Sequence, residues 1–441
     1  MTPFFKVTHS TKTEVIAGVT TFLTMAYIIF VQPAVLSTDF TGKPTGLDFG
    51  AVLLATCIVS GAASILMGVW AKYPIALAPG MGENFFFVSV IMALGAAGVA
   101  EPWRAALGIV FVSGVIFLIL SVIGVREAVL DSISSSMRHA IAAGIGLFIA
   151  FIGLRNGGII VAHPGTLVTM STQLVSADVA VFGVGLLTAA TLQIRGTRGA
   201  MLVGILAAAA VAAALGKIHY AGLVGLPHIN TPAAFRFDFA AAFNPRWMPF
   251  VAMFLFMNVF DTIGSVIGVS QQAGLMRDGK LPRAERVLVV DAAGTVLGAA
   301  LGTSTIVTYI ESAAGVSAGG RTGLTAVVAG ALFFVALLFS PLIGMIGNYL
   351  PITAPALIIV GALMMTNAKH IAWDDLSESV PAFLTLVGIP LAYSIADGLA
   401  LGFISYPVLK VLTGKGRQVG TVSYIVAALL IVYFVFVRTR L

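Results

Sequence analysis

Apolar residues run in long blocks along the chain, broken by short polar or Gly/Pro-rich turns. The blocks fall at residues 14–36, 50–70, 78–98, 104–124, 138–158, 178–194, 199–216, 247–268, 287–301, 303–319, 323–346, 352–366, 380–394 and 397–412. A bilayer core about 30 Å thick is crossed by about 20 helical residues. The pattern therefore predicts an all-α polytopic membrane protein with about fourteen spans. A further apolar run, Val422–Val437, is followed by Arg438 and Arg440.

Lysine and arginine test that count. With the N-terminus in the cytoplasm and alternating sides, sixteen of the 24 basic residues fall on the cytoplasmic face, among them Lys6, Lys72, Arg126, Arg277, Lys280 and Arg321. Only Lys43, Arg104, Arg155, Lys217, Arg236 and Arg246 fall outside. This is the positive-inside bias. Arg438 and Arg440 would break it if Val422–Val437 spanned fully, which favours a surface-lying or partly inserted C-terminal helix. The longest outer connections, 159–177 and 217–246, are polar, and the second leaves seven spans on each side. An odd number per half gives the halves opposite topology, as in inverted-repeat transporters, whose sites lie where interrupted helices meet at mid-membrane.

Each half holds one such interruption. Leu77-Ala78-Pro79-Gly80-Met81-Gly82-Glu83-Asn84-Phe85 puts a proline, two glycines, a carboxylate and an amide at membrane depth. Gly302-Thr303-Ser304-Thr305-Ile306-Val307-Thr308-Tyr309-Ile310-Glu311 is hydroxyl-rich and β-branched, again with a carboxylate. Unpaired backbone groups in lipid cost several kcal/mol each, so such segments survive only inside protein or beside a watery cavity. Of 18 acidic residues, Glu83, Asp261 and Glu311 sit well inside apolar sequence, which makes them functional candidates. Asp291 and Asp397 fall at predicted span ends, where capping or interfacial solvation is the ordinary reading.

Composition agrees: 59% hydrophobic residues, 10% charged and a mean hydropathy of +1.04 exclude a soluble domain. The single Cys57 excludes an internal disulfide or a CxxC motif. The net charge of +6 is spread through loops with no aromatic-interleaved stripe, so no nucleic-acid partner is expected. No metal-ligand spacing, nucleophile elbow or Walker A sequence is present, so neither a metal, a cofactor nor an enzymatic activity is expected. The first apolar run is long enough to span and is expected to stay in the mature protein rather than act as a cleaved leader.

The stretch from Thr13 to Pro33, with APGMGENFF, VFDTIGS, GTSTIVTYIESAAGV and VPAFLTLVGIPLAYSIADGLALG, resembles the AzgA-like purine permeases. These form the hypoxanthine/guanine/adenine branch of the nucleobase/cation symporter-2 family, relatives of the uracil permease. The resemblance covers nearly the whole chain. It implies two inverted repeats of seven spans, with spans 3 and 10 interrupted by short antiparallel strands. A core domain would comprise residues 1–124 (spans 1–4) and 247–350 (spans 8–11). A gate domain would comprise 125–216 (spans 5–7) and 351–413 (spans 12–14), leaving 217–246 as an outer loop and 414–441 as a C-terminal hydrophobic segment. The implied substrate-binding residues are Gly82, Asn84, Phe85, Asp261, Tyr309, Ile310 and Glu311. Glu83, Asp261 and Glu311 are the proton-coupling candidates.

The resemblance further implies import of hypoxanthine, guanine, adenine or xanthine across the inner or plasma membrane, by proton symport with elevator-like alternating access. A homodimer through the gate domain is a candidate assembly. Two positions depart from the relatives: Glu83 stands where an apolar residue is usual, and Ser265 where the uracil branch has a histidine. Alternatives are another nucleobase or an anion on the same fold, or an intramembrane enzyme. The chemistry favours a purine. Ionised carboxylates accept hydrogen bonds from the paired N–H groups of guanine or hypoxanthine, and an amide matches a purine edge with one donor and one acceptor. Gly144, Gly146 and Gly361 suit either a sliding contact or close packing.

Overall fold

The computed structural model describes residues 10–123, 134–230, 232–276 and 281–436. Lys6, Arg126, Arg277, Lys280, Arg438 and Arg440, used above to orient the chain, lie outside them, as does the 124/125 domain boundary.

Every apolar block appears as a helix or a broken pair. The first is α1 (Thr11–Met25) and α2 (Ile28–Ser37), separated by a turn at Ala26–Tyr27. Then come α3 (Phe49–Leu66), which ends in a π-turn over Met67–Ala71, strand β1 (Leu77–Pro79), α4 (Met81–Ala96) and α5 (Pro102–Ile123). Next are α6 (Ser135–Asn156), a hairpin of β2 (Ile160–His163) and β3 (Leu167–Met170), α7 (Ala177–Ile194) and α8 (Ala200–Ala214).

The second half opens with the short α9 (Phe239–Ala242), then α10 (Met248–Gln272), α11 (Ala284–Leu301), strand β4 (Ile306–Thr308) and α12 (Ser312–Ser317). It closes with α13 (Gly323–Ala336), α14 (Ser340–Gly347), α15 (Leu350–Met365), α16 (Leu376–Leu391) and α17 (Ile395–Leu412). A last helix, α18 (Thr421–Phe436), covers the C-terminal apolar run and packs on α17 and α10. Among the described residues eight spans are long and apolar enough to cross a membrane on length and composition, and four shorter apolar helices join them.

The helices sort into two packed groups. In one, α13 lies on α1 and α3, and α11 lies on α5 and α3, with α10 against α5. In the other, α6 lies against α15 and α16, α16 against α17, and α7 against α8 and α15. Small residues bring backbones together in each group, as dispersion packing in lipid favours. A Cβ on Gly330 would sit 2.6 Å from the Gly61 carbonyl oxygen, at the crossing of α13 and α3. A Cβ on Gly146 would sit 2.8 Å from the Gly361 carbonyl oxygen, at the crossing of α6 and α15, and Gly144 lies against α16. Each of those glycines therefore seats a close helix crossing within its own group.

One buried carboxylate fixes a helix end. Glu14 of α1 accepts from the N–H of Arg321 (3.0 Å) and Thr322 (3.3 Å) and from the Thr325 hydroxyl (2.6 Å), at the N-terminus of α13. There it meets both the free N–H groups and the positive end of the helix dipole.

Candidate functional site

The two interrupted spans meet in the middle of the molecule. β1 and β4 pair antiparallel, with Leu77 opposite Thr308, Ala78 opposite Val307 and Pro79 opposite Ile306. Backbone bonds flank the pair, from Gly80 N–H to the Thr305 carbonyl (3.1 Å) and from Tyr309 N–H to the Ala76 carbonyl (3.0 Å). This register turns the N–H and C=O of Leu77 and Ile306 away from the partner strand, where lipid-depth sequence offers no water. A hydroxyl meets each of them. Ser64 of α3 donates to the Leu77 carbonyl (3.2 Å) and accepts from its N–H (2.8 Å). Thr295 of α11 donates to the Ile306 carbonyl (3.0 Å) and accepts from its N–H (3.1 Å), while Asn258 of α10 donates to the same hydroxyl (3.0 Å). Spans 2 and 9 thus support spans 3 and 10 in the same manner, as an inverted repeat requires.

Four of the expected residues surround this crossing. Gly80 immediately precedes α4, and the Glu83 carboxyl folds back over that glycine, leaving no room for a Cβ. Asn84 is fully buried; its Oδ1 accepts from the Ser304 hydroxyl, and its Nδ2 has no partner among the described residues. Glu311 accepts from the Tyr27 hydroxyl (2.8 Å), which the break between α1 and α2 places there. Asp261 lies midway along α10, within Coulombic range of both Glu83 and Glu311.

The remaining expected residues divide. Tyr309 is buried and ties the two strands together, its hydroxyl donating to the Pro79 carbonyl (2.6 Å). Ile310 is 52% exposed and leans on the α10 backbone near Gly268. Gly82 faces Ile145 of α6, where a Cβ would come within 3.1 Å of that side chain. Phe85 does not cover the acids; it packs on Phe40 and Phe148 and helps line a vestibule of about 460 Å³ beside the end of α2. Ser265 donates to the carbonyls of Asp261 (2.9 Å) and Thr262 (3.1 Å) and contacts the Thr308 hydroxyl at 2.5 Å, which anchors α10 to β4.

The path to the acids is open on one side. Asp261 and Gly264 are exposed, Gly268 is half-buried, and Gln271 and Gln272 at the C-terminal end of α10 are exposed again. A Cβ on Gly264 would meet nothing within 4 Å. The geometry sets acceptor-only carboxylates and a planar amide around a space with access from one side.

Residues 12–436 match the Xan_ur_permease family, described as a permease family. The chain belongs to this family. The permease is 43% identical over 427 residues to Adenine permease AdeP of Escherichia coli K12, covering 97% of this chain and 93% of AdeP. It is 42% identical over 442 residues to Guanine/hypoxanthine permease PbuG of Bacillus subtilis 168, covering 97% of each chain. Its fold is similar to that of the transmembrane domain of a cyanobacterium bicarbonate transporter, BicA, with a TM-score of 0.62 at 15% identity, over 89% of this chain and 97% of that one. The permease is a multi-pass membrane transporter, not an enzyme.

Two features of the permease site escape the sequence pattern. Asp291 is not at a span end: it lies inside α11, fully buried, with Asp261 and Glu83 in electrostatic range. Neither carboxyl oxygen forms a hydrogen bond of ordinary geometry among the described residues, although the Thr262 hydroxyl and the Thr308 backbone interact with it. It is a fourth acid of the cluster. It is the fifth residue of its apolar run, just after the charge-rich stretch 277–286, which disguised its depth. Asp397 is also buried, in the first turn of α17. Gln32 of α2 donates to the Thr303 (2.9 Å) and Ser304 (3.0 Å) hydroxyls and so orients the group that holds Asn84. The only prior signal was an amide inside an apolar run.

Proposed function

We propose that this permease imports purine nucleobases, such as hypoxanthine, guanine or adenine, by proton symport. The observation that carries the reading is the convergence of Asn84, Glu83, Asp261 and Glu311 where β1 and β4 meet α4. A purine is a flat, nearly neutral ring with N–H donors and ring-nitrogen acceptors on its rim. Asp261 and Glu311 supply acceptors for adjacent N–H groups, and Asn84 supplies a planar amide whose Nδ2 has no partner among the described residues. AdeP and PbuG bear the names of different purines at nearly equal identity, 43% and 42%, so competition among bases decides the preferred one.

An ionised carboxylate is costly at membrane depth and a protonated one far less so, so acids that bind and release a proton as the site changes sides supply the coupling. Glu311 is assigned to the base, and Asp261 or Glu83 to the proton. Residues 1–124 and 247–350 form the core that carries the site, residues 125–216 and 351–413 form the gate, and the N-terminus lies in the cytoplasm. The sorting of the helices into two packed groups supports that division.

The test is hypoxanthine accumulation in vesicles with and without an imposed inward proton gradient. The gradient is expected to drive accumulation several-fold above equilibration. Equal accumulation in both removes proton coupling, and no uptake of any purine removes the substrate class.

A further inference from the structure

On the side opposite the open end of α10, aromatic rings close the way to the acids. Phe40, in the turn after α2, stacks on Phe85 of α4 with centroids 6.1 Å apart and planes 21° apart. It meets Phe148 of α6 at 5.6 Å and Tyr393, between α16 and α17, at 5.4 Å, both edge-on. Phe148 closes the ring against Phe85 (6.2 Å) and Tyr393 (5.4 Å). Phe40 and Phe85 belong to the proposed core, Phe148 and Tyr393 to the proposed gate, and Phe40 and Phe85 line the outer vestibule. These rings are therefore the partition between vestibule and site.

One cation spans the partition. Arg155, in the last turn of α6, donates from Nη1 to the Phe40 carbonyl oxygen and to the Tyr393 hydroxyl (2.8 Å), with its guanidinium carbon 6.0 Å from the Tyr393 ring centre. Tyr393 takes a left-handed φ of 53°, a conformation that non-glycine residues rarely adopt and that surrounding contacts must hold in place. Arg155 is exposed at the vestibule, so water competes for each of its bonds and the contact is breakable.

We propose that Arg155 is the latch of an outer gate: its bond to the Phe40 carbonyl joins gate to core at this face, its bond to the Tyr393 hydroxyl within the gate holds the guanidinium in that pose, and release of the Phe40 bond parts the rings and admits a purine from the vestibule. The proposal rests on the alternating-access reading above. The two acids that line the vestibule beside Arg155 have partners of their own. Asp39 is engaged by Thr41 and Lys43, and Asp178 by Tyr349 and Lys217.

Thiol labelling of the full-length, detergent-solubilised protein tests the latch without reference to substrate or orientation. In a Cys57→Ser background, Ala34→Cys places one thiol on the buried vestibule wall. Arg155→Ala is expected to speed its reaction with a maleimide roughly tenfold, the worth of a charged hydrogen bond. Tyr393→Phe, which keeps the ring and removes one bond, is expected to give a smaller increase, and it reads the latch if Arg155→Ala does not survive solubilisation. Labelling at the background rate in a folded Arg155→Ala protein, or in Tyr393→Phe where that is the readable variant, overturns the proposal. Faster labelling in a protein that transports no purine keeps the latch and removes the substrate reading instead.

Discussion

Glu83 keeps its place because Gly80 has no side chain, and Glu311 keeps its place because Tyr27 gives it a proton donor. Both arrangements are local devices for holding a carboxyl where lipid-depth sequence would expel it. The cost of placing such a group at mid-membrane is about 2.5–3.5 kcal/mol on insertion scales, and removal of its acceptor capacity is informative for that reason. Glu311→Gln and Asp261→Asn preserve shape while exchanging an acceptor-only group for an amide that also donates. Both are expected to reduce purine uptake to background in cells, with unchanged membrane levels and an unchanged gel-filtration profile. Wild-type uptake in either variant removes that residue from the site.

At the scale of elements, a strand inside a membrane is unusual, and what permits it is the pair of hydroxyls on neighbouring helices. Thr295→Val matches the side-chain shape and removes the group that serves both the N–H and the C=O of Ile306. Each buried group left without a partner costs about 1–3 kcal/mol. A lowered melting temperature and a raised KM for purine are expected, and Thr295→Ser, which keeps the hydroxyl, is expected to restore both. Normal KM in Thr295→Val would separate β4 from binding.

Helix α16 has a different anchor. Asp375 caps it by accepting from the Ser377 hydroxyl (2.7 Å) and N–H (2.9 Å), with Lys415 at 3.4 Å and Lys410 at 3.9 Å. The Ser377 hydroxyl, then its N–H, and behind them the lysines, hold the Asp375 carboxyl down at about 2. A group depressed on folding stabilises at and above its ordinary value near 4 and loses that contribution only as pH falls through about 2. The melting-temperature difference between wild type and Asp375→Ala is therefore expected to stay constant between about pH 5 and pH 8. A difference that shrinks within that window would mean that another group titrates with the cap.

For the whole molecule, what lipid imposes was legible and what distant residues build together was not. Spans follow from apolar length because a bilayer fixes that length, and the two interruptions follow from Pro79, Gly80 and the hydroxyl run at 303–305 because such residues have no reason to face lipid. The hairpin of Ile160–His163 and Leu167–Met170 was hidden, since its strands are largely exposed and its apolar side chains point outward. The depth of Asp291 depends on Asp261 and Glu83 from other helices. The outward turn of Phe85 depends on Phe40, Phe148 and Tyr393, which are scattered through both halves and share no local pattern.

The cluster of Glu83, Asp261, Glu311 and Asp291 is also an electrical object. A cell interior held negative opposes inward travel of negative charge, at about 2.3 kcal/mol per elementary charge per 100 mV across the full field. An empty carrier with ionised acids would therefore be held back by voltage, and each proton bound removes one such charge before the crossing. Under the proton-symport reading proposed above, membrane potential selects the loaded, neutralised form for the inward stroke and slows idle cycling, so the acids proposed to hold the cargo also limit the leak.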